Sequence, residues 1–293
     1  MSGDRLARFT LSPRRRRRDR IARSAILAGT IIALIPLLLI VYYLLQKGLG
    51  SWSPSFFTTD PTGNTFFKHS SIGGIQSAIL GTIEIVALAS AIAIPAGIGV
   101  AVWLVEYGRN SWFANAVRFF VDVLTGVPSI IFGLFIYIVL IVGTGSTYAG
   151  YKGSFALSLL MLPVVIRSAE VILLLVPGAL RESALALGAP RWRVIFSIVL
   201  PTALPGMVTG VLLAIARAAG ETAPLLFTAG ATFKTSTNLG GFMNSLPVQI
   251  YNDVTSPTTS VVNRAWGAAL TLVTMILVLN LIARLVAKRS RLA

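Results

Sequence analysis

Cysteine is absent from the 293 residues, and histidine occurs once, at His69. These absences exclude disulfides, thiolate metal sites, a cysteine nucleophile and any histidine cluster. His69 reads as a surface or interface residue, with a ligand role as the alternative. Charge is scarce too: Asp, Glu, Lys and Arg make up 12% of the chain, against about 25% in an average soluble domain. Acidic residues are the scarcest, 10 against 25 basic, for a formal net charge of +15. That excess does not point to nucleic acid. Many basic residues stand at the ends of apolar runs and few alternate with exposed aromatics, so the expected partner is membrane lipid.

A nucleotide-binding loop is also missing. Residues 143–154 include Gly145, Gly150 and Lys152, but Tyr151 separates glycine from lysine, and both flanks are apolar spans instead of a strand and a helix. No other stretch fits, so the chain does not bind and split ATP by that route. Nor is there a metal cluster, or a nucleophile with its base, on which to build an enzyme.

Long apolar runs are what the chain has instead: 55% of residues are hydrophobic and the mean hydropathy is +0.80. Residues 1–23 form a basic tail with nine arginines, five of them consecutive at 14–18. The uncharged stretch 24–46 follows, long enough to cross about 30 Å of hydrocarbon at 1.5 Å per residue. No small-residue cleavage site follows it promptly, which favours a retained anchor over a removed signal. A twin-arginine signal and a nucleic-acid arm are the alternatives for the arginine run. Residues 47–72 read as an external loop, with Pro54, Pro61, Gly63 and Asn64 as turn formers and Phe56, Phe57, Phe66 and Phe67 expected at the membrane interface.

The transmembrane domain proper is expected over 73–287, followed by a second basic tail at 288–293. Its spans are 75–106, kinked at Pro95 and Gly97; 119–142, containing Gly126, Pro128 and Gly133; 155–176; 198–228; and 265–287. The fold class is therefore an all-α integral membrane protein with six transmembrane helices and both termini on one side. On that topology eighteen basic residues fall inside and five outside, which places both termini in the cytoplasm. Arg109, Arg118, Arg181 and Arg284 count among the inside set, and Lys152 and Arg264 among the outside set.

Charges within the spans need an explanation, because each costs about 2.5–3.5 kcal/mol on insertion scales. Arg167 and Glu170 are three residues apart, and Arg217 and Glu221 four apart, so each pair can share a helix face. They either line a path for an anion, which guanidinium binds through bidentate charge-assisted bonds, or neutralise each other and pin helices. Glu84 reads as a carboxylate facing the bundle, paired or protonated, with substrate contact as the alternative.

Residues 177–196 are too polar to span, and they open a segment, 177–201, that reads as one unit. Glu182, Ser183 and Ala184 are followed after three residues by Gly188, and after nine more by Ile198, Leu200 and Pro201. Glu182 is expected near a helix start and Gly188 at a break. This order resembles the cytoplasmic coupling motif of permease subunits in bacterial ABC importers, with serine in place of the usual first alanine. The stretches LTGVPSIIFGLF, LPVVIRSAE, ALGAPRWRVI and TGVLLAIARAAGETAPLLFTA are similar to the phosphate-type permeases of that binding-protein-dependent family, over about residues 72–285.

The resemblance implies a type I ABC importer permease fold with a cytoplasmic coupling helix, in the bacterial inner membrane. It implies a second, homologous permease subunit; a dimeric ATP-binding subunit that holds ATP and Mg; and an extracytoplasmic phosphate-binding protein. No cofactor is expected in this chain. Glu182, Ser183, Ala184 and Gly188 would dock on the ATPase, and Arg167, Glu170, Arg217 and Glu221 would line the substrate path. A permease for another oxyanion, such as phosphonate or sulfate, would share the fold; an ATP-independent channel would leave the coupling motif unexplained.

Overall fold

A computed structural model describes residues 13–61, 73–109 and 111–289. Arg5, Arg8, Gly63, Asn64, Phe66, Phe67, Lys68, His69 and Arg291 lie outside these residues. Among the described residues the chain is helical, and the one β contact is an isolated bridge between Pro61 and Gly73. Five helices are long and apolar enough to cross a membrane, or six with one bent pair counted as a single span.

The first helix, α1 (Pro13–Leu49), continues from the arginine run straight through the apolar stretch. Its side chains are almost all exposed, and it leans on the bundle only near Leu44 and Gly48, against α12 (Thr259–Arg289). An apolar surface left uncovered in this way suits lipid as its solvent. The short α2 (Pro54–Thr58) follows, capped by the Ser53 hydroxyl, which accepts from the Phe56 amide. Phe56 is not at the interface as expected. It is buried among Ile75, Ala78, Leu246 and Ala268, and makes this loop a plug in the bundle.

The core forms around α3 (Gln76–Val102) and α6 (Gly150–Leu174), which run parallel. Ser154 Oγ donates to the Ile85 carbonyl at 2.9 Å near one end, and Gly97 meets Val165 further along. Alanines at 78, 89, 93 and 101 on α3 and at 156 and 169 on α6 are buried, and such small side chains let apolar helices approach where no hydrophobic drive separates them from lipid. Pro95 lies within α3 without ending it; the helix then widens into a π-helical segment, Trp103–Gly108.

The expected single helix over 119–142 is two pieces, α4 (Trp112–Gly126) and α5 (Ser129–Tyr137, extended by a π-helical segment Ile138–Val142), bent by 101°. Pro128 causes the break: a residue before proline avoids helical angles, and Val127 is extended at φ −72°, ψ 130°. Gly133 on α5 is where the returning chain crosses. A Cβ there would lie 2.6 Å from Pro224 Cα. Gly133→Ala must therefore push backbone against backbone, and is expected to cost about 1–3 kcal/mol, read as a lower thermal midpoint in detergent.

The span expected at 198–228 starts earlier and stops sooner. α7 (Gly178–Ala186) is followed by α8 (Arg191–Val194), a π-helical segment Ile195–Val199 and α9 (Leu200–Ala219), the last three forming one apolar run over Arg191–Ala219. α9 returns antiparallel to α6, packing Met207 and Val199 with Leu173. Gly220 ends it, and α10 (Ala223–Thr228) is a separate short helix against α5 and α6. The final span is longer than the expected 265–287, and α11 (Leu246–Val254) packs beside it.

Candidate functional site

Arg167 and Glu170 stand one turn apart near the end of α6 that leads into α7. Glu170 is buried, and both its oxygens are occupied: Arg118 Nε donates to Oε1 at 2.6 Å and Arg167 Nη1 to Oε2 at 2.7 Å. Arg167 is engaged along its whole guanidinium. Nε donates to Asp122 Oδ1 at 2.8 Å, Nη2 pairs with Asp122 Oδ2, and Nη2 also reaches the Arg118 carbonyl at 3.1 Å.

Two helical spacings interleave here, since Arg118 and Asp122 are i and i+4 on α4 while Arg167 and Glu170 are i and i+3 on α6. The four side chains carry no net charge, and the buried Glu170 carboxylate is balanced by two guanidiniums that are themselves partly exposed. Arg118 adds bonds to the carbonyls of Leu104, at 3.2 Å, and Arg109, at 2.9 Å, and so ties α4 to the π-helical segment after α3.

The second pair is built differently. Arg217 lies in the last turn of α9, and Glu221 follows just past its end. Their separation is 3.5 Å between Nε and Oε1, and the Arg217 side chain remains 44% exposed. Among the described residues it makes no other polar contact. No ion pair joins the α6 pair to the α9 pair among those residues. One arginine is thus saturated by protein and the other has donors to spare.

α7 carries the motif residues. Ala184 is its one buried residue, set among Val176, Leu173 and Val194, while Glu182 and Ser183 are exposed. Glu182 sits in the middle of α7, not at its start, so its charge does not serve the helix dipole; it projects from the end of the bundle. Gly188 ends the turn at φ +83°, a conformation that side-chain-bearing residues avoid. Leu187 beside it is 89% exposed. The carboxylate and hydroxyl on this short helix, with Leu187 just past its end, are thus left exposed together. One residue earlier, Arg181 points inward to Glu106 and to the end of α6.

Several polar groups were not singled out by sequence reasoning. Arg118, Arg181 and Arg264 were counted only as topology signals, and Asp122 and Glu106 not at all. Spacing offered a signal for Arg118 with Asp122, because i and i+4 opposite charges entering an apolar run imply pairing. Asp253 and Arg264 form a buried bidentate pair at 2.7 and 2.8 Å, extended through Gln249 to Asn244. Lys152 is in the first turn of α6, not in an open loop, and its buried ammonium donates to Ser146 Oγ at 2.6 Å and to the Thr147 carbonyl. Glu84 Oε2 is buried without a hydrogen-bond partner among the described residues, so no side chain neutralises that oxygen. The described residues contain no group of three or more potential metal ligands of the His, Cys, Asp and Glu types.

Comparison with known proteins gives three consistent results. Residues 93–292 match the family described as binding-protein-dependent transport system inner membrane component. The chain is 40% identical to the phosphate transport system permease protein PstA of Yersinia pestis, covering 94% of this chain and 92% of that protein. It is 42% identical to the PstA of Haemophilus influenzae, covering 88% and 89%. Among solved structures, a bacterial ABC transporter involved in import of the acidic polysaccharide alginate shares the fold at a TM-score of 0.64 and 18% identity, over 93% of this chain and 96% of that one. An inward-facing MetNI methionine ABC transporter does so at 0.57 and 21%, over 72% and 94%.

Proposed function

This chain belongs to the family of binding-protein-dependent transport system inner membrane components, and from that premise we propose that it is the permease subunit of an ATP-driven importer of inorganic phosphate. It is a multi-pass inner-membrane protein with the fold of ABC importer permeases. The observation that carries the substrate is the near full-length similarity to phosphate permeases. The partners that complete the assembly are a homologous permease subunit, a dimeric ATP-binding subunit carrying ATP and Mg, and an extracytoplasmic phosphate-binding protein. The basic ends of α1 and α12 and the α7 face lie in the cytoplasm, an orientation that the charge asymmetry supports.

The mechanism assigns no covalent step to this chain. Arg217, half open and loosely paired, offers its guanidinium to a phosphate oxyanion, and Glu221 beside it keeps the empty site from holding the anion too long. Arg167 and Glu170 belong to the same path nearer the α7 end, where the network with Arg118 and Asp122 closes it until the helices move. ATP binding in the partner draws its domains together and pushes α7 through Glu182, Ser183 and the turn at Gly188, with Ala184 seating the helix on the bundle. Competition tests the substrate. Uptake of labelled phosphate by the reconstituted complex should be suppressed by excess unlabelled phosphate and not by sulfate or phosphonate; suppression by sulfate or phosphonate at lower concentration than by phosphate would reassign the anion.

A further inference from the structure

Arg181 precedes the coupling motif by one residue; it turns into the bundle while Glu182 is exposed, although both border one cavity with Glu106. Its Nε donates to Glu106 Oε1 at 3.0 Å and its Nη2 lies 2.9 Å from the same oxygen. Nη1 donates to the Val176 carbonyl at 2.7 Å and Nη2 to the Leu173 carbonyl at 2.9 Å. Both side chains of the pair are largely buried, at 20% and 14% exposure. The Leu173 carbonyl belongs to the final turn of α6 and the Val176 carbonyl lies two residues past its end, a helix C-terminus where a cation is favoured. One guanidinium therefore joins three elements: α7, the end of α6 and the π-helical segment after α3.

Apart from Arg181, α7 is held by Ala184, its one buried residue, and by packing against α8 and the π-helical segment that follows it. Arg181 is the polar side chain of α7 that ties it to α6 and to the segment after α3. Glu170 lies one turn before Leu173 on α6, and the Arg118 bound to it also takes the Leu104 carbonyl, two residues from Glu106. Arg181 and Arg118 thus grip α6 and the segment Trp103–Gly108 from two sides. We propose that Arg181 and Glu106 form the clasp that passes movement of α7 to α3 and α6, with Arg181 a positioning residue for coupling and not part of the docking face. This rests on the reading of α7 as the ATPase-docking helix. The clasp stays closed through the cycle, so that α7 moves with the two transmembrane helices as one body.

The absence of cysteine from the chain gives a direct test. The full complex with its ATPase and binding protein is reconstituted with the double variant Glu106→Cys and Arg181→Cys, and phosphate transported per ATP hydrolysed is measured before and after joining the thiols with a short reversible bis-methanethiosulfonate linker. The open variant is expected to lose about tenfold or more in that ratio, within the range of coupling effects between sites. Linking should restore most of it, and reduction should remove it again. A linked complex that stays uncoupled, or an open variant that transports normally, overturns the clasp. Glu106→Gln, which keeps the side-chain volume, should show the same loss with assembly and basal ATP hydrolysis intact. Failure of both variants to assemble would make the pair a folding element and overturn the proposal as well. Wild type separates the two ideas: without ATP-driven phosphate uptake there, the transport reading fails, whereas a normal wild type beside unaffected variants refutes the clasp alone.

Discussion

Glu170→Ala is expected to destabilise the fold by about 3–5 kcal/mol, the cost of removing one partner from a buried charge pair. The carboxylate is buried and receives Arg118 Nε at 2.6 Å and Arg167 Nη1 at 2.7 Å, so its loss leaves two guanidiniums facing each other with one carboxylate, Asp122, to balance them. Arg118 keeps its carbonyl acceptors and Arg167 keeps Asp122, which holds the cost at the scale of one broken pair. Glu170→Gln preserves the volume and one acceptor and should lose roughly half as much. Asp122→Asn is the contrast: that side chain is 62% exposed, and its removal is expected to cost under about 1 kcal/mol. Thermal unfolding in detergent ranks the three. Equal midpoints for Glu170→Ala and Asp122→Asn would show that the network does not carry stability.

Arg217→Gln should do the reverse, leaving stability within about 0.5 kcal/mol of wild type while phosphate uptake collapses. The guanidinium is 44% exposed and 3.5 Å from its one partner among the described residues, so little fold energy depends on it. If it donates to the anion, each charge-assisted hydrogen bond lost is worth about 1.5–3 kcal/mol, or about ten- to a hundredfold in initial uptake rate. Arg217→Lys keeps the charge and loses the planar fork, and should fall between the two. Normal uptake by Arg217→Gln, with assembly and ATP hydrolysis unchanged, would leave the residue a member of a structural pair.

These two expectations separate the pairs that spacing alone treated alike. The i, i+3 interval correctly placed Arg167 with Glu170 on one face of α6, whereas Arg217 meets Glu221 with the glutamate just past the end of α9 and not on a shared helix face. The intervals could not reveal that α4 folds back along α6, because that depends on the 101° bend at Pro128 and on Arg118 meeting a carboxylate 52 residues away. Six apolar runs were legible from hydropathy. The end of α9 was overrun because an apolar stretch resumes at Ala223–Thr228 just beyond Gly220, although a glycine after the last helical turn was the available signal. Phe56 misled for a different reason: an aromatic in a polar loop reads as an interface anchor, and only the cleft between α3, α11 and α12 shows that it has a core to enter. Arg181 was hidden by its neighbour, since the motif drew attention to Glu182 while the contact that binds α7 to the bundle spans 75 residues to Glu106.

The measurement that bears most directly on the central claim is uptake of radiolabelled phosphate by proteoliposomes holding this chain with its homologous permease, ATPase and phosphate-loaded binding protein. Accumulation that requires ATP, and that disappears when the ATPase is left out, is the predicted result. Phosphate equilibrating equally with and without ATP would identify a passive channel, and no phosphate movement by a complex that still hydrolyses ATP in response to another loaded binding protein would contradict the assignment of the substrate.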